Sequence, residues 1–125
     1  MGGHFGAPHS NIRTRRVYDS PVAGEGERIL VMRLWPRGIA KAKVDRWLKE
    51  LAPILPLMRG YRSGVIPWEE YRPQYLAGLE RPDAQAHVEE ILALARTGPV
   101  TLLCGCPDLK RCHRSLLQQY LAERV

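Results

Sequence analysis

Phenylalanine occurs once in these 125 residues, cysteine three times, and lysine supplies only Lys41, Lys43, Lys49 and Lys110 of the 19 basic side chains. No apolar run approaches the roughly 20 residues of a membrane helix, so a membrane span is excluded. The first residues lack an apolar h-region, which argues against a secretory signal and predicts a cytoplasmic protein. An odd cysteine count in such a chain argues against a disulfide framework. No Walker loop, dinucleotide fingerprint, metalloprotease helix or Ser/His/Asp order is present, so the sequence calls for no cofactor.

What is there fits one globular domain. Hydrophobic residues make up 45% and charged residues 26%, ordinary values that exclude wholesale disorder. The net charge is +6. Arg13, Arg15 and Arg16 supply half of it in residues 1–16, which contain no acid, and residues 17–125 are nearly balanced. Residues 1–14 read as a flexible basic leader, and 15–125 as the domain. A basic arm of this kind can contact nucleic acid, with Lys41, Lys43 and surface arginines adding charge.

The apolar run Arg28–Leu34 reads as a buried strand leaving through Trp35-Pro36-Arg37-Gly38. A shorter extended segment precedes it at residues 15–19. Val44, Trp47, Leu48 and Leu51 follow helical spacing and predict a helix ending at Pro53. Residues 53–67, with three prolines and two glycines, read as an irregular connection. A helix follows from Trp68, kinked or restarted at Pro73. The next is capped by Asp83, presents Val88, Ile91, Leu92 and Ala95 to the core, and ends at Gly98-Pro99. Val100–Cys104 is a second buried strand, and Arg114–Glu123 a last helix. Apolar strands separated by helices predict an α/β fold, a small and largely parallel sheet with helices packed against it.

In such sheets ligands occupy the crevice beyond the carboxyl ends of the strands. There Cys104 passes through Gly105–Cys112 to a helix N-terminus carrying His113, Arg114 and Ser115, where free backbone N–H groups favour an anion. Arg33 and Arg37 end the other strand, Trp35 offers a stacking face, and Tyr18 follows the first. The expectation is that Arg33, Arg37 and Arg114 converge on one phosphate-bearing or nucleotide-like small molecule, with Tyr18, Trp35 and Ser115 around it. Whether the protein catalyses is left undecided by these residues; if it does, His113 is the acid/base candidate because imidazole titrates near neutrality.

The motifs themselves resemble a known family. Arg16-Val17-Tyr18-Asp19, the Arg-Leu-Trp-Pro-Arg-Gly run ending at Gly38, Trp47–Pro53, Trp68–Tyr71 and Cys104 followed by Cys112-His113-Arg114 are similar to the bacterial domain-of-unknown-function family 488. The resemblance covers residues 15–123 and implies the α/β fold without an established activity. The family usually has an aspartate where this chain has Met32, so no role for that carboxylate carries over.

The cysteines leave three readings. Cys104, Cys106, Cys112 and His113 are the right donors for a Cys₃His zinc site, but their spacing departs from the usual C-x₂₋₄-C pairs. Cys106 and Arg111 have the C-x₄-R spacing of a rhodanese-like sulfur-transfer loop, although Pro107 removes one of its amide donors. Plain packing of Cys104 in the strand and Cys112 at the helix start ranks first.

Overall fold

The computed structural model describes residues 11–106, 108 and 110–125. Four strands, β1 (Ile12–Arg16), β2 (Glu27–Leu30), β3 (Arg46–Trp47) and β4 (Val100–Cys104), form one sheet in the order β1-β4-β2-β3. Every pairing is parallel: Ile12 lies against Val100 on one side of β4, and Glu27 against Val100 on the other. The fold is therefore α/β, with a wholly parallel sheet. Strand β4 is central, which explains why VTLLC is apolar or small on both faces and buried throughout.

The β1 strand begins at Ile12, inside the segment that the sequence assigns to a basic leader. Ile12 is fully buried and pairs with Val100, so the last leader residues belong to the sheet. Residues 1–10 lie outside the described residues.

Four helices follow: α1 (Leu55–Arg62), α2 (Trp68–Gly78), α3 (Pro82–Thr97) and α4 (His113–Ala122). The alternation of side chains along a strand decides what they cover. Ile12, Ile29, Val31, Val100 and Leu102 meet Leu57, Tyr75, Ile91 and Leu117 in the main core. The opposite face offers Leu30 and Leu103, covered with Val17 by a smaller cluster drawn from Met32, Trp35, Ile39 and Val44. One face is thus covered by helices and the other by the long loop after β2.

Several boundaries differ from the sequence reading. Residues 44–51 form no α-helix. The backbone N–H groups of Asp45 and Leu48 donate to Arg28 and Leu30, and Arg46 and Trp47 become an edge strand. Short 3₁₀ turns at Lys41–Lys43 and Lys49–Leu51 flank it. Residues 53–67 contain α1 because Pro56 stands in its first turn, where a missing N–H costs nothing. Helix α2 runs through Pro73 without a restart, with Tyr71 and Tyr75 buried on either side. Arg81, not Asp83, is the N-cap of α3, since Pro82 occupies the first helical position. Gly98 ends that helix in extended rather than left-handed backbone, the region that a following proline imposes.

Candidate functional site

All four strands run the same way, so the carboxyl ends of β1, β2 and β4 open on one edge. A cleft of about 320 Å³ lies there. Tyr18 reaches it from the end of β1, Met32 from the end of β2, and Cys104, Gly105 and Cys106 from the end of β4. Met58, Tyr61 and Arg62 of α1 and Tyr71 of α2 form another wall, and Arg111, Cys112 and His113 lead into α4. Tyr61 stacks on Tyr71 with ring centroids 4.4 Å apart. Arg62 and Arg111 are exposed, and neither has an ion-pair partner among the described residues. No carboxylate lines the cleft among the described residues, and Met32 stands where the resemblance leads one to expect an aspartate.

A compact cluster forms the floor. The Cys112 thiol donates to the Cys104 sulfur over 3.7 Å, and both are buried. That hydrogen bond holds the Cys104 thiol well below its ordinary range against the opposing effect of burial, with His113 helping. The same bond, together with burial, pushes Cys112 up. His113 donates Nε2–H to the Val31 carbonyl at 2.5 Å, which joins α4 to the end of β2 and fixes the imidazole tautomer. Its ring also meets Tyr75 edge-on at 5.6 Å.

The expected guanidinium trio is dispersed instead. Arg114 is fully buried and donates to the carbonyls of Cys104 (2.8 Å), Cys106 (2.6 Å) and Arg15 (3.2 Å), pinning the strand ends from below. Arg33 donates to the carbonyls of Ala52 and Pro53 and lines a separate pocket of about 140 Å³ with Glu50 and Tyr75. Arg37 is exposed on the loop after β2 and does not line the cleft. The Trp35 indole donates to the Ile39 carbonyl and packs edge-on against Trp47, so its face belongs to the smaller core cluster. Ser115 is the third residue of α4, which has Cys112 as N-cap and no side-chain cap. Tyr18 and His113 alone of that set line the cleft, joined by cysteines that the sequence reading ranked as packing.

Of the four residues considered for zinc, Cys104, Cys112 and His113 bring their donor atoms within 4.8 Å of one another. Cys106 is not part of that group, and its thiol donates to the Asp108 carbonyl over 3.7 Å. The Cys106–Arg111 loop contains Pro107, which lies outside the described residues.

The family model described as "Active DUF488-N3 subclade" matches residues 12–125, from the first residue of β1 onward. The chain belongs to the DUF488 family. Its similarity extends to an uncharacterized protein of Escherichia coli K12, YeaO, 35% identical over 113 residues, 89% of this chain and 96% of that one. The uncharacterized proteins Mb3100c of Mycobacterium bovis and Rv3073c of Mycobacterium tuberculosis are each 30% identical over 117 residues, 92% of this chain and 97% of theirs. No solved structure matches the chain significantly. No helix among the described residues is long and apolar enough to cross a membrane.

Of the DUF488 chain's cleft residues, Met58, Tyr61, Arg62 and Tyr71 were invisible as site residues in the sequence. They come from α1 and α2, whose approach to the sheet edge no local spacing reveals. Arg111 carried a signal, its place directly before Cys112-His113.

Proposed function

We propose that this protein binds a small phosphate-bearing, nucleotide-like molecule in the cleft beyond the carboxyl ends of its sheet. One observation carries the reading: tyrosine rings and two guanidinium groups without ion-pair partners among the described residues line one cavity that holds no carboxylate among them. Tyr18 and Tyr61 offer faces on which a base can stack, worth about 1–3 kcal/mol per base in comparable sites. Arg62 and Arg111 supply planar donors suited to phosphate. The cavity of about 320 Å³ is at the lower end of small-molecule sites, roughly 300–1,000 Å³, which favours a mononucleotide over a dinucleotide.

Calorimetric titration of the metal-free protein with AMP, adenosine and inorganic phosphate tests this. AMP is expected to bind more tightly than either fragment. Replacing Arg62 or Arg111 by Ala is expected to weaken AMP about tenfold, the loss of one charge-assisted hydrogen bond. No AMP binding, or AMP affinity untouched in the Arg62→Ala/Arg111→Ala double variant, overturns the reading. So does binding confined to oligonucleotides with a steep salt dependence, the signature of a nucleic-acid module using the basic N-terminal residues, Lys41 and Lys43.

A further inference from the structure

We propose that Cys104, Cys112 and His113 form a three-ligand site for a thiophilic divalent ion of the zinc class, with its fourth coordination position open to the cleft. The proposal rests on side chains other than the arginines and tyrosines invoked for nucleotide binding, and stands or falls separately.

Geometry is the first support. The three donor atoms lie within 4.8 Å of one another, and all three residues are buried. Two thiolates on one tetrahedral zinc, each about 2.3 Å from it, sit about 3.8 Å apart. The Cys104 and Cys112 sulfurs are 3.7 Å apart. Little movement is needed to admit the ion between them.

The histidine is prepared in the way that metal-bound histidines usually are. A ligating imidazole commonly donates its second ring N–H to a carbonyl or carboxylate, which fixes its orientation and raises its basicity. His113 gives Nε2–H to the Val31 carbonyl, leaving Nδ1 as the donor atom. Both partners are rigid, one at the end of a buried strand and the other at the first residue of α4. Arg114, the next residue, ties the carbonyls of Cys104 and Cys106, so the backbone carrying the first thiol is held as well.

The donor chemistry selects the ion. Two sulfurs and one nitrogen, in a cleft without a carboxylate among its described lining residues, suit zinc or a similar soft-to-borderline ion and disfavour magnesium and calcium, which need oxygen ligands. Both sulfurs bind as thiolates, so metal binding releases the thiol protons to solvent. Cys106 is directed elsewhere, and three protein ligands leave one position for water or a ligand atom. All three residues line the cleft, so that position faces it. A Cys₂His set with one open position is a catalytic rather than a structural pattern.

The test uses the full chain, reduced and stripped with EDTA, then titrated with Co²⁺ and back-titrated with Zn²⁺. A 1:1 complex is expected, with thiolate-to-cobalt charge transfer in the near ultraviolet and intense tetrahedral bands in the visible, both bleached by zinc. Cys112→Ser and His113→Gln are expected to weaken binding about a hundredfold, while Cys106→Ser leaves it unchanged. Alkylation of the wild-type protein followed by mass spectrometry provides a readout independent of how the variants fold. Zinc should protect Cys104 and Cys112 and leave Cys106 open to the reagent. Absence of the charge-transfer band at stoichiometric cobalt, undiminished cobalt affinity in Cys112→Ser, or alkylation of Cys104 and Cys112 that zinc does not slow overturns the proposal. AMP binding by the stripped protein is unaffected by any of these results.

Discussion

Arg114 donates through Nη1 to the carbonyl oxygen of Cys104 at 2.8 Å, with the whole side chain removed from solvent. Nη1 also donates to the Arg15 carbonyl and Nη2 to that of Cys106, and no carboxylate pairs with it among the described residues. The guanidinium is a strut that holds the ends of β1 and β4 and the start of the following loop in register. Arg114→Met is therefore expected to lose about 3 kcal/mol or more, because three carbonyls lose a charged donor at once. Arg114→Lys should recover part of the loss, since an ammonium lacks the planar fork that spans three acceptors. Urea denaturation of both variants checks the order. A loss under about 1 kcal/mol in Arg114→Met would refute the strut, because removing even one such bond costs that much.

Gly26 sits just before β2 with φ at +68°, and a Cβ there would run into the Pro99 carbonyl. Both the backbone region and the lack of space exclude a side chain. Gly60 makes an informative contrast, because a Cβ there meets the side chain of Ile66, at Cδ1 and Cγ1, rather than backbone, and its own backbone is helical. Gly26→Ala is expected to cost about 3 kcal/mol, combining left-handed strain with displacement of a backbone carbonyl. Gly60→Ala should fall within about 1 kcal/mol of wild type, since better helix propensity offsets the rearrangement of Ile66. Thermal melts of the two single variants provide the comparison.

How much of this was legible beforehand divides along physical lines. Val100–Cys104 and the last helix announce themselves because a central parallel strand must be apolar on both faces. Tyr18 and His113 were read as residues near strand ends and do line the cleft there, whereas Cys104 was ranked as packing. Residues 44–51 misled because Val44, Trp47, Leu48 and Leu51 suit helix spacing, whereas β2 had a free edge that claimed Arg46 and Trp47. Tertiary hydrogen bonds then joined Arg46 to Glu27 and Glu90, and Trp47 to the Met32 carbonyl. The arginines misled for a different reason. Composition and position do not say whether a guanidinium faces a cavity or a ring of carbonyls, so Arg114 read as ligand-binding while Arg62 passed unnoticed.

Alkaline stability should depend on the buried tyrosines. Tyr75 is buried and donates its hydroxyl to the Leu51 carbonyl at 2.7 Å, and burial holds its ionisation well above the ordinary value of 10.0. Tyr71 is raised in the same direction and for the same main cause. A group whose pKa is raised by folding stabilises fully below its unfolded value and loses that contribution as pH climbs toward the folded one. Melting temperatures are therefore expected to hold steady below about pH 9 and fall as the pH passes the ordinary tyrosine range near 10. Tyr75→Phe should cost about 1 kcal/mol at neutral pH through the lost hydrogen bond. Its alkaline decline should be shallower than that of the wild type. Parallel slopes for the two proteins would show that Tyr75 is not the group responsible.

Met32 offers a substitution that separates the two kinds of ligand proposed for the cleft. It is half-buried on the cleft wall, and a Cβ placed at Gly105 would touch both its methyl group and the Tyr18 ring. Met32→Asp installs the carboxylate that the resemblance to the family leads one to expect, in a cleft that otherwise carries Arg62 and Arg111. A new negative charge opposes an anionic ligand and attracts a cation. AMP affinity is expected to fall about tenfold at low salt, with the difference shrinking as ionic strength rises. Cobalt affinity at Cys104, Cys112 and His113 should be unchanged or increased, since an acid near a metal site adds attraction without removing a ligand. Calorimetry with AMP and cobalt absorption on one preparation read both effects. A parallel loss of both would mean that the aspartate disturbs the packing of the strand ends, and urea denaturation of the same sample would register it. A fall in AMP affinity with no fall in cobalt affinity is what a cleft that takes both an anion and a cation requires.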